Sequence, residues 1–446
     1  MRNQLIILII LLSTFTSCIN DDIITGSASS LYFNSDQVEM APLIYGQESP
    51  TYVVKVYNTS SKGILIDNIT ITDNNDHVFR INVDGHTDNY FQDITIRGSD
   101  SMYVFISGTA PMTGLDRECA IVFHSGNTHK SINVNMPLIP ATILESPQIN
   151  GETIWEGNYY IKGAAEVAAS SKLTIAAGSN IFFANGSSLL VNGIMNCEGT
   201  VENPIEFQGD RFDDIVSGVP YTMVGGQWKG LSLAGGAKAS ISYTSILNGE
   251  TNICMEPESS IELFNCRIHN ASETLVTTNE AIITATGCEF TDAGAGVLDM
   301  TDSKIELYQC TVANFYLFSY PVTPIINLSG ECDFSISNSI IYGLSSPFSS
   351  ENDITGADII FNRCLFSVSG NDDENFVTCI WSTNPMLNVS RNDYMFDYTP
   401  LPDSPVIGAA YESLTPKNWT VDRLGTPIGN PAPIGAYALP FTEMVY

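Results

Sequence analysis

The chain is poor in positive charge. Only 18 of its residues are Lys or Arg, against 49 Asp and Glu, and the formal net charge at pH 7 is −31. A surface of this sign repels phosphate backbones, which argues against nucleic acid as a partner. It also repels acidic polysaccharides unless a cation bridges the two. Charged residues of both signs make up 15% of the chain, so Asn, Ser, Thr and Gly supply much of the surface, as in turn-rich extracellular β proteins.

Long apolar runs are also scarce. Residues 5–12 form a run of eight apolar residues, with Arg2 before it and a small-residue segment ending at Cys18 after it. The run is too short to cross a bilayer, and its flanks predict that residues 1–17 are a signal peptide. No other apolar run approaches membrane length.

Familiar catalytic motifs are missing as well. The chain has no C-x-x-C pair, no H-E-x-x-H and no phosphate-binding loop, which removes the common signatures of zinc sites, metalloproteases and nucleotide-binding enzymes. The 149–395 region contains a single histidine, His269. We expect it to be a surface turn residue.

What the chain does contain is a repeat. Between residues 239 and 366 a short phrase recurs, and Cys266, Cys288 and Cys310 stand at its centre with a spacing of 22 residues. The successive centres of the phrase are Thr244, Cys266, Cys288, Cys310, Ser339 and Cys364. Apolar residues alternate around each centre with one skip, which indicates two half-buried strands joined by a bend. Since no helical stretch intervenes, the strands predict a parallel β-helix.

The repeated cysteines have two readings. A metal or redox ladder would need ligands that converge on one point, and none of the cysteines forms a close pair. A small residue at a tight inward corner fits the alternation of Thr, Cys and Ser. Stacked coils would also bring neighbouring cysteines near disulfide distance. We predict buried free thiols in a vertical file.

Composition and turn signals divide the chain into segments. Residues 18–29 are a polar tether, 30–145 an antiparallel β-sandwich, 149–395 the β-helix of about ten coils, and 396–446 an irregular cap over the last coil. The predicted sandwich strands are 30–33, 51–57, 64–72, 78–83, 94–96, 101–107, 120–124 and 130–136. The fold class is therefore all-β.

Four resemblances to known families add to these predictions. The N-terminus resembles a bacterial lipoprotein signal, which implies that Cys18 is acylated; an ordinary secretory signal is the alternative. Asn20-Asp21-Asp22 resembles the acidic export tag of Bacteroidota surface lipoproteins, or is a solvated linker. These features imply an outer membrane lipoprotein at the cell surface.

The strand pattern of residues 52–123 is similar to immunoglobulin-like domains, which are usually spacers. Residues 150–438 resemble right-handed parallel β-helix lipoproteins of Bacteroidota, a pectate-lyase-like superfold, through the repeats and the tail phrases 404–408, 422–425 and 433–437. That family commonly has Asp where Gly408 and Pro433 stand here. This chain therefore lacks those two acidic residues, and whatever role they have in the family does not carry over to it.

The sequence offers few candidate catalytic or metal-binding residues. A lyase needs calcium and a base, and Arg267 and Arg363 are expected to point outward without an acidic cluster beside either. A glycosidase needs two facing carboxylates. The runs of adjacent acids are Asp213-Asp214 and Asp372-Asp373-Glu374, which read as solvated turns. The second run is also a candidate calcium loop, the one cofactor considered.

A binding role fits better. Exposed aromatic residues would stack on a glycan, and the candidates are Tyr221, Trp228, Tyr243, Tyr308, Tyr316, Tyr320, Tyr342 and Trp381. For Trp228 we expect packing between coils instead. We favour a non-catalytic, lipid-anchored glycan-binding or adhesive protein with no catalytic residue. The alternatives are a divergent polysaccharide lyase or glycoside hydrolase, and a surface stalk without a ligand site. The sequence does not indicate the glycan-binding residues or the oligomeric state.

Overall fold

A computed structural model describes residues 22–24, 27–74, 76–348 and 358–439. The predicted signal peptide, residues 1–17, and Cys18 lie outside these residues. The chain divides into two compact units, residues 1–140 and 141–446. The described part is built of strands, with three short 3-10 helices at Ala28–Ser30, Tyr221–Met223 and Glu412–Leu414.

The first unit contains two larger sheets and a small one. The six-stranded sheet contains Ile23–Ile24, Gln37–Glu39, Gly63–Thr72, Tyr90–Ile96, Arg117–Ser125 and Thr128–Met136. The five-stranded sheet contains, in spatial order, Leu31–Phe33, Tyr52–Asn58, Ser101–Gly108, Phe79–Val83 and His86–Asp88. Leu43–Ile44 and Leu138–Ile139 form a short parallel pair.

The strands of this unit alternate buried and outward residues, and the buried ones from both sheets form one core. All eight predicted strands are present within a few residues of their predicted bounds. Besides the short parallel pair of Leu43–Ile44 and Leu138–Ile139, two pairings differ from the antiparallel expectation: Ile23–Ile24 and Gln37–Glu39 each add to their sheet in parallel. Both are short flanking strands, whose pairing the alternation of apolar residues does not define.

The second unit is a parallel β-helix with three parallel sheets, named here in the order in which each coil visits them. Sheet 1 contains Thr142–Glu145, Asn158–Lys162, Asn180–Phe183, Ile205–Gly209, Thr244–Leu247, Arg267–Ala271, Glu289–Ala293, Thr311–Asn314, Ile340–Gly343 and Leu365–Phe366. Sheet 2 contains Gln148–Ile149, Ala164–Val167, Ser188–Val191, Leu231–Leu233, Ile253–Met255, Val276–Asn279, Leu298–Thr301 and Ile326–Ser329. Sheet 3 contains Glu152–Trp155, Lys172–Ile175, Ile194–Glu198, Lys238–Ser242, Ser260–Phe264, Ile282–Thr286, Lys304–Tyr308, Asp333–Ser337, Ile359–Asn362 and Phe376–Val377.

Two antiparallel hairpins interrupt the regular winding. Asp214–Val216 pairs with Val219–Pro220, and Leu387–Ser390 pairs with Met395–Pro400. The first lies in an insertion within one coil, between its sheet 1 strand Ile205–Gly209 and its sheet 2 strand Leu231–Leu233, and the second follows the last strand of sheet 3.

The predicted file of small residues is confirmed. Cys266, Cys288 and Cys310 are fully buried on successive coils, and the backbone N–H of Cys266 lies 3.4 Å from the sulfur of Cys288. The backbone N–H of Cys310 donates to the hydroxyl of Ser339 on the next coil at 2.9 Å. All nine described cysteines are free thiols, so the file acts as small packing residues.

The residue before each centre turns the corner from sheet 3 to sheet 1. This residue has a positive φ on six coils, at Tyr243, Asn265, Gly287, Gln309, Asn338 and Arg363. Asn and Gly adopt this left-handed conformation at low cost, whereas Tyr, Gln and Arg do not. The skip in the hydrophobic alternation is therefore a single left-handed residue.

Two predictions about this unit were wrong, namely where the winding starts and what the C-terminal tail covers. The winding starts at Thr142, not at residue 149, because Thr142–Glu145 already pairs in register with Tyr159–Lys162. The tail does not cap the last coil. It lies along the outward side of sheet 1, where Ala313, Ile340 and Leu365 present apolar side chains that it covers.

The C-terminal end of the β-helix core is closed by an aromatic cluster instead. The rings of Phe361 and Phe376 stack at 5.0 Å, and those of Phe366 and Trp381 stack at 4.6 Å. Phe348 packs edge-on against Phe361 and Phe366. These rings fill the last coil before the chain leaves the winding.

Candidate functional site

The outward side of sheet 1 gathers charged residues from neighbouring coils. The register places Arg267 beside Glu289 and His269 beside Thr291. Arg267 Nε donates to Glu289 Oε1 at 2.9 Å, and the hydroxyl of Thr291 donates to the same oxygen at 2.6 Å. Asp292 follows on the same strand, and its Oδ2 lies 3.5 Å from His269 Nδ1. We call these five residues the buried polar cluster.

Two tyrosines of the tail cover the acids of this cluster. The hydroxyl of Tyr398 donates to Asp292 Oδ1 at 2.7 Å, and that of Tyr437 donates to Glu289 Oε2. Both rings are buried. The tail therefore uses phenol groups to bind both carboxylates, and each bond is charge-assisted when its acid is ionised.

Burial shifts the proton equilibria of the cluster. It raises the pKa of Asp292 to about 7, against opposing hydrogen bonds from Tyr398 and Phe315. Burial also lowers the pKa of His269 well below its ordinary value, and the cations Arg267 and Arg423 lower it further. For Arg267 burial acts downward, but Glu289 and the other negative groups outweigh it and the pKa is raised. The histidine is thus neutral and the arginine charged.

Two predictions about these residues were wrong. His269 is not a surface turn residue, because it points into the cluster beneath the tail and retains 12% side-chain exposure. Arg267 does point outward from its coil, but an acidic cluster does lie beside it. Arg363, the other cation considered, lies over the ring of Tyr411 at 4.5 Å and donates to the carbonyl of Ala409.

The tail phrases that seemed family-like have structural roles here. Asp422 is fully buried and accepts backbone N–H bonds from Leu424, Thr426 and Ala438. Gly435 has a φ of 95°, and a Cβ there would lie 2.5 Å from Ile340 Cδ1. These phrases shape the tail so that it fits against sheet 1.

A further contact ties the middle of the tail to a corner of the β-helix. The indole N–H of Trp419 donates to Asn265 Oδ1 at 2.8 Å, and the Asn265 amide donates to the Val421 carbonyl at 3.0 Å. Arg423 reaches one coil further and donates to the Ser245 hydroxyl at 2.9 Å. The tail thus spans several coils.

The acidic runs predicted as solvated turns form local loop contacts. Asp213 pairs with Arg211 through both carboxylate oxygens, and Asp214 accepts the Gly218 N–H at 3.0 Å. These two carboxylates therefore have separate partners and do not face a common substrate position.

The candidate calcium loop is similar. Asp372 accepts from the Cys379 N–H and the Trp381 indole, each at 3.1 Å. Asp373 accepts from the N–H groups of Asn375 and Phe376, and Glu374 is exposed. Among the described residues no three His, Cys, Asp or Glu side chains gather as a metal site. Calcium binding by Asp372, Asp373 or Glu374 stays a prediction.

The predicted aromatic candidates have different environments. Trp228 is buried and stacks on Phe183 at 3.9 Å, as expected, and Tyr316 is buried as well. Tyr320 is exposed beneath the guanidinium of Arg391. The half-buried ones are Tyr221, Tyr243, Tyr308, Tyr342 and Trp381. They are spread over several sides of the unit and form no common strip.

The outward side of sheet 3 is different, since its residues stand in register and reach solvent. We call its central column of outward side chains the open face. It consists of Thr174, Asn196, Ser240, Glu262, Thr284, Glu306 and Ser335 on seven successive strands. Each is exposed or half-buried. Hydrogen-bonding groups therefore repeat along the coils at the strand spacing of about 4.8 Å.

A shallow groove of about 330 Å³ lies on this face. Its lining includes Asn196, Ser240, Glu262 and Thr284 of the open face. The neighbouring outward column contributes Lys238 and the exposed Ile282. The groove therefore offers amide, hydroxyl, carboxylate and ammonium groups beside apolar surface, which is the mixture that sugars bind.

No known protein family matches the chain, and no curated protein matches it. In the described part of the chain, no helix has the length and apolar character needed to span a membrane. The geometry of the two sides of the β-helix therefore carries the functional argument.

Sequence reasoning missed both the buried polar cluster and the open face. The signal was available in the 22-residue spacing, since Arg267 and Glu289, and also Glu262 and Thr284, are each one repeat apart. Searching for acids adjacent in sequence could not find pairs adjacent between coils.

Proposed function

We propose that this protein is a lipid-anchored, surface-exposed protein of the cell envelope that binds glycans without cleaving them. The glycan lies along the open face of sheet 3. The observation that carries the proposal is the in-register column of polar side chains on successive coils, exposed beside a groove. A linear ligand with repeated hydroxyl groups matches a linear protein surface with repeated donors and acceptors.

The chemistry of the open face favours hydrogen bonding over catalysis. Asn, Ser, Thr and Glu side chains bind sugar hydroxyls, and the exposed Ile194 and Ile282 offer contacts to the apolar faces of sugar rings. Because each coil adds one set of contacts, affinity should increase with the length of the oligosaccharide until the ligand spans the groove.

The experiment is a glycan array of neutral oligosaccharides probed with the whole chain. Ser240→Trp puts a bulky ring in the middle of the groove from an outward position. Ser232→Trp is the matched control on the outward side of sheet 2. We expect bound glycans whose signal Ser240→Trp removes and Ser232→Trp retains. An array without any bound glycan, or a signal that survives Ser240→Trp, would refute the proposal and favour a stalk without a ligand site.

A second candidate, a divergent lyase or hydrolase, draws support from the buried polar cluster. The cluster combines an arginine, a histidine and two carboxylates, and the pKa of Asp292 near 7 suits a general acid or base. Against this, tail tyrosines bind both carboxylates. Assays for reducing ends and for unsaturated products, with and without calcium, test it. Cleaved, shortened polysaccharide in these assays would refute the non-catalytic proposal and favour an enzyme.

The proposed lipid anchor at Cys18 and the proposed location at the cell surface need a separate test. The Cys18→Ala variant should lose incorporation of radiolabelled palmitate and leave the membrane fraction, and protease added to whole cells should degrade the native chain. Retention of the label by the variant would contradict acylation at Cys18. A protease-resistant chain in intact cells would contradict surface exposure.

A further inference from the structure

The five-stranded sheet of the first unit carries an exposed row of aromatic rings. Tyr32, Tyr103 and Phe105 are 55%, 50% and 39% exposed, and Tyr57 is half-buried between them. Their neighbours in sequence, such as Val56 and Val104, are fully buried in the core. The rings therefore point outward from the sheet by the alternation of the strands. We call these four residues the aromatic strip.

The strip crosses three adjacent strands. Tyr32 pairs in register with Tyr57, and their ring centroids lie 5.8 Å apart. On the third strand, Tyr103 and Phe105 have centroids 6.2 Å apart. The rings therefore stand on neighbouring strands about 4.8 Å apart, so an extended polysaccharide laid across the strands would meet rings in succession.

A lysine sits at the centre of the strip. Lys55 lies opposite Tyr103 in the register, and its ammonium is 4.9 Å from the ring centroid of Tyr57 and 5.3 Å from that of Tyr103. No carboxylate of a described residue forms an ion pair with it. The ammonium lies against the two tyrosines, which leaves its charge available to a ligand.

The three strands that carry the strip contain one cation, Lys55, and no acid. The outward residues of Tyr52–Asn58, Ser101–Gly108 and Phe79–Val83 include the cations Lys55 and Arg80 and no acid, in a chain with 49 acidic residues and 18 basic ones. Arg80 is paired with Glu48 at the edge. A local positive centre on a negative protein selects an anionic ligand over short range, since the repulsion from distant charges is screened beyond about 8 Å at physiological ionic strength.

We propose that the aromatic strip binds a linear polysaccharide that carries carboxylates. Sugar rings stack on Tyr57 and Tyr103, and a uronate carboxylate pairs with Lys55. This site goes beyond the glycan face proposed on sheet 3, since it lies in the other unit and selects acidic chains.

Titration calorimetry on the whole chain tests the site, in a detergent without sugar groups. The probes are octasaccharides of polygalacturonate, alginate and hyaluronan, with cello-oligosaccharide as the neutral probe. We expect at least one acidic probe to bind more tightly than the neutral one, with an affinity that falls as salt is added. Tyr103→Ala should weaken it about tenfold or more, and Lys55→Met about tenfold.

Two variants control for folding. Tyr103→Phe keeps the ring and should bind as the native chain does. Tyr90→Ala removes an equally exposed tyrosine from the other sheet and should have no effect. Failure of every acidic probe to bind, or full affinity in Tyr103→Ala, overturns the proposal. Self-association that Tyr103→Ala abolishes would assign the strip to a second copy and also overturn it. Ser240→Trp must leave this binding intact, so the two glycan sites fail independently.

Discussion

The pKa of Asp292 leads to a measurable dependence of stability on pH. The carboxyl is buried beneath the tail, and its pKa in the folded chain is about 7, against an ordinary value of 3.8. Between these two values the folded chain binds a proton that the unfolded chain releases. The free energy of unfolding therefore falls as the pH rises through this window, and the stability that the protonated carboxyl contributes is lost above the upper value.

The perturbation is Asp292→Asn, which removes the titration and keeps the shape. Its amide oxygen still accepts from the Tyr398 hydroxyl and the Phe315 N–H. Its NH₂ replaces Oδ2, a buried oxygen without a hydrogen-bond partner among the described residues. Each unit of pKa difference is worth about 1.4 kcal/mol, so the upper bound of the effect is about 4 kcal/mol between pH 3.8 and pH 7.

Urea denaturation followed by tryptophan fluorescence measures the effect at pH values from below 3.8 to above 7. His269 works in the opposite direction, because its lowered pKa removes stability as the pH falls below its ordinary 6.5. The quantity to compare is therefore the free energy of unfolding of the native chain minus that of Asp292→Asn at each pH. This difference should fall steadily as the pH rises, because only the native chain loses the contribution of the protonated carboxyl. Tyr398→Phe keeps the carboxyl but removes a hydrogen bond that lowers its pKa, so the loss of stability with rising pH should persist and extend to higher pH. Parallel curves for native chain and Asp292→Asn would refute the assignment.

Three further outcomes are expected. Trp228→Ala should lower the free energy of unfolding by about 3–5 kcal/mol in urea, because it empties a buried site stacked on Phe183. Tyr437→Phe should cost about 1.5–3 kcal/mol and speed amide exchange in the tail, since Glu289 loses a buried donor; unchanged exchange would contradict its role. Ellman's reagent should label half-buried Cys254 before the cysteines of the file, and dithiothreitol should leave the melting temperature unchanged, because all nine described cysteines are free.

The architecture of the β-helix was predictable because one repeat of the sequence corresponds to one coil of the structure. A spacing of 22 residues returns the chain to the same corner one coil later, so Cys266 must lie over Cys288 in any such winding. Alternation around that corner then assigns inward and outward residues on both flanking strands. The confirmed strands of the first unit follow from the same alternation.

The tail was not predictable in the same way. Residues 401–439 have no period, and the contacts that place them on sheet 1 join positions far apart in sequence, as Trp419 does with Asn265. What the sequence did contain was the partner surface: apolar Ile340 and Leu365 at outward positions of sheet 1 need a cover. An outward apolar column predicts that something lies on it, without saying which segment.

The contrast between the two sides of the β-helix explains where a ligand can act. On sheet 1 the outward columns contain charged or apolar residues that the tail covers with Tyr398, Trp419 and Tyr437. Burying a charge is costly unless it is paired, and both cluster acids have received phenol donors from the tail. On sheet 3 the residues of the open face are polar and reach water, so this surface needs no covering segment to be stable. A surface that is stable in water without a protein partner is also one that a soluble glycan can reach, and for this reason we propose the open face, rather than the buried polar cluster, as the ligand site.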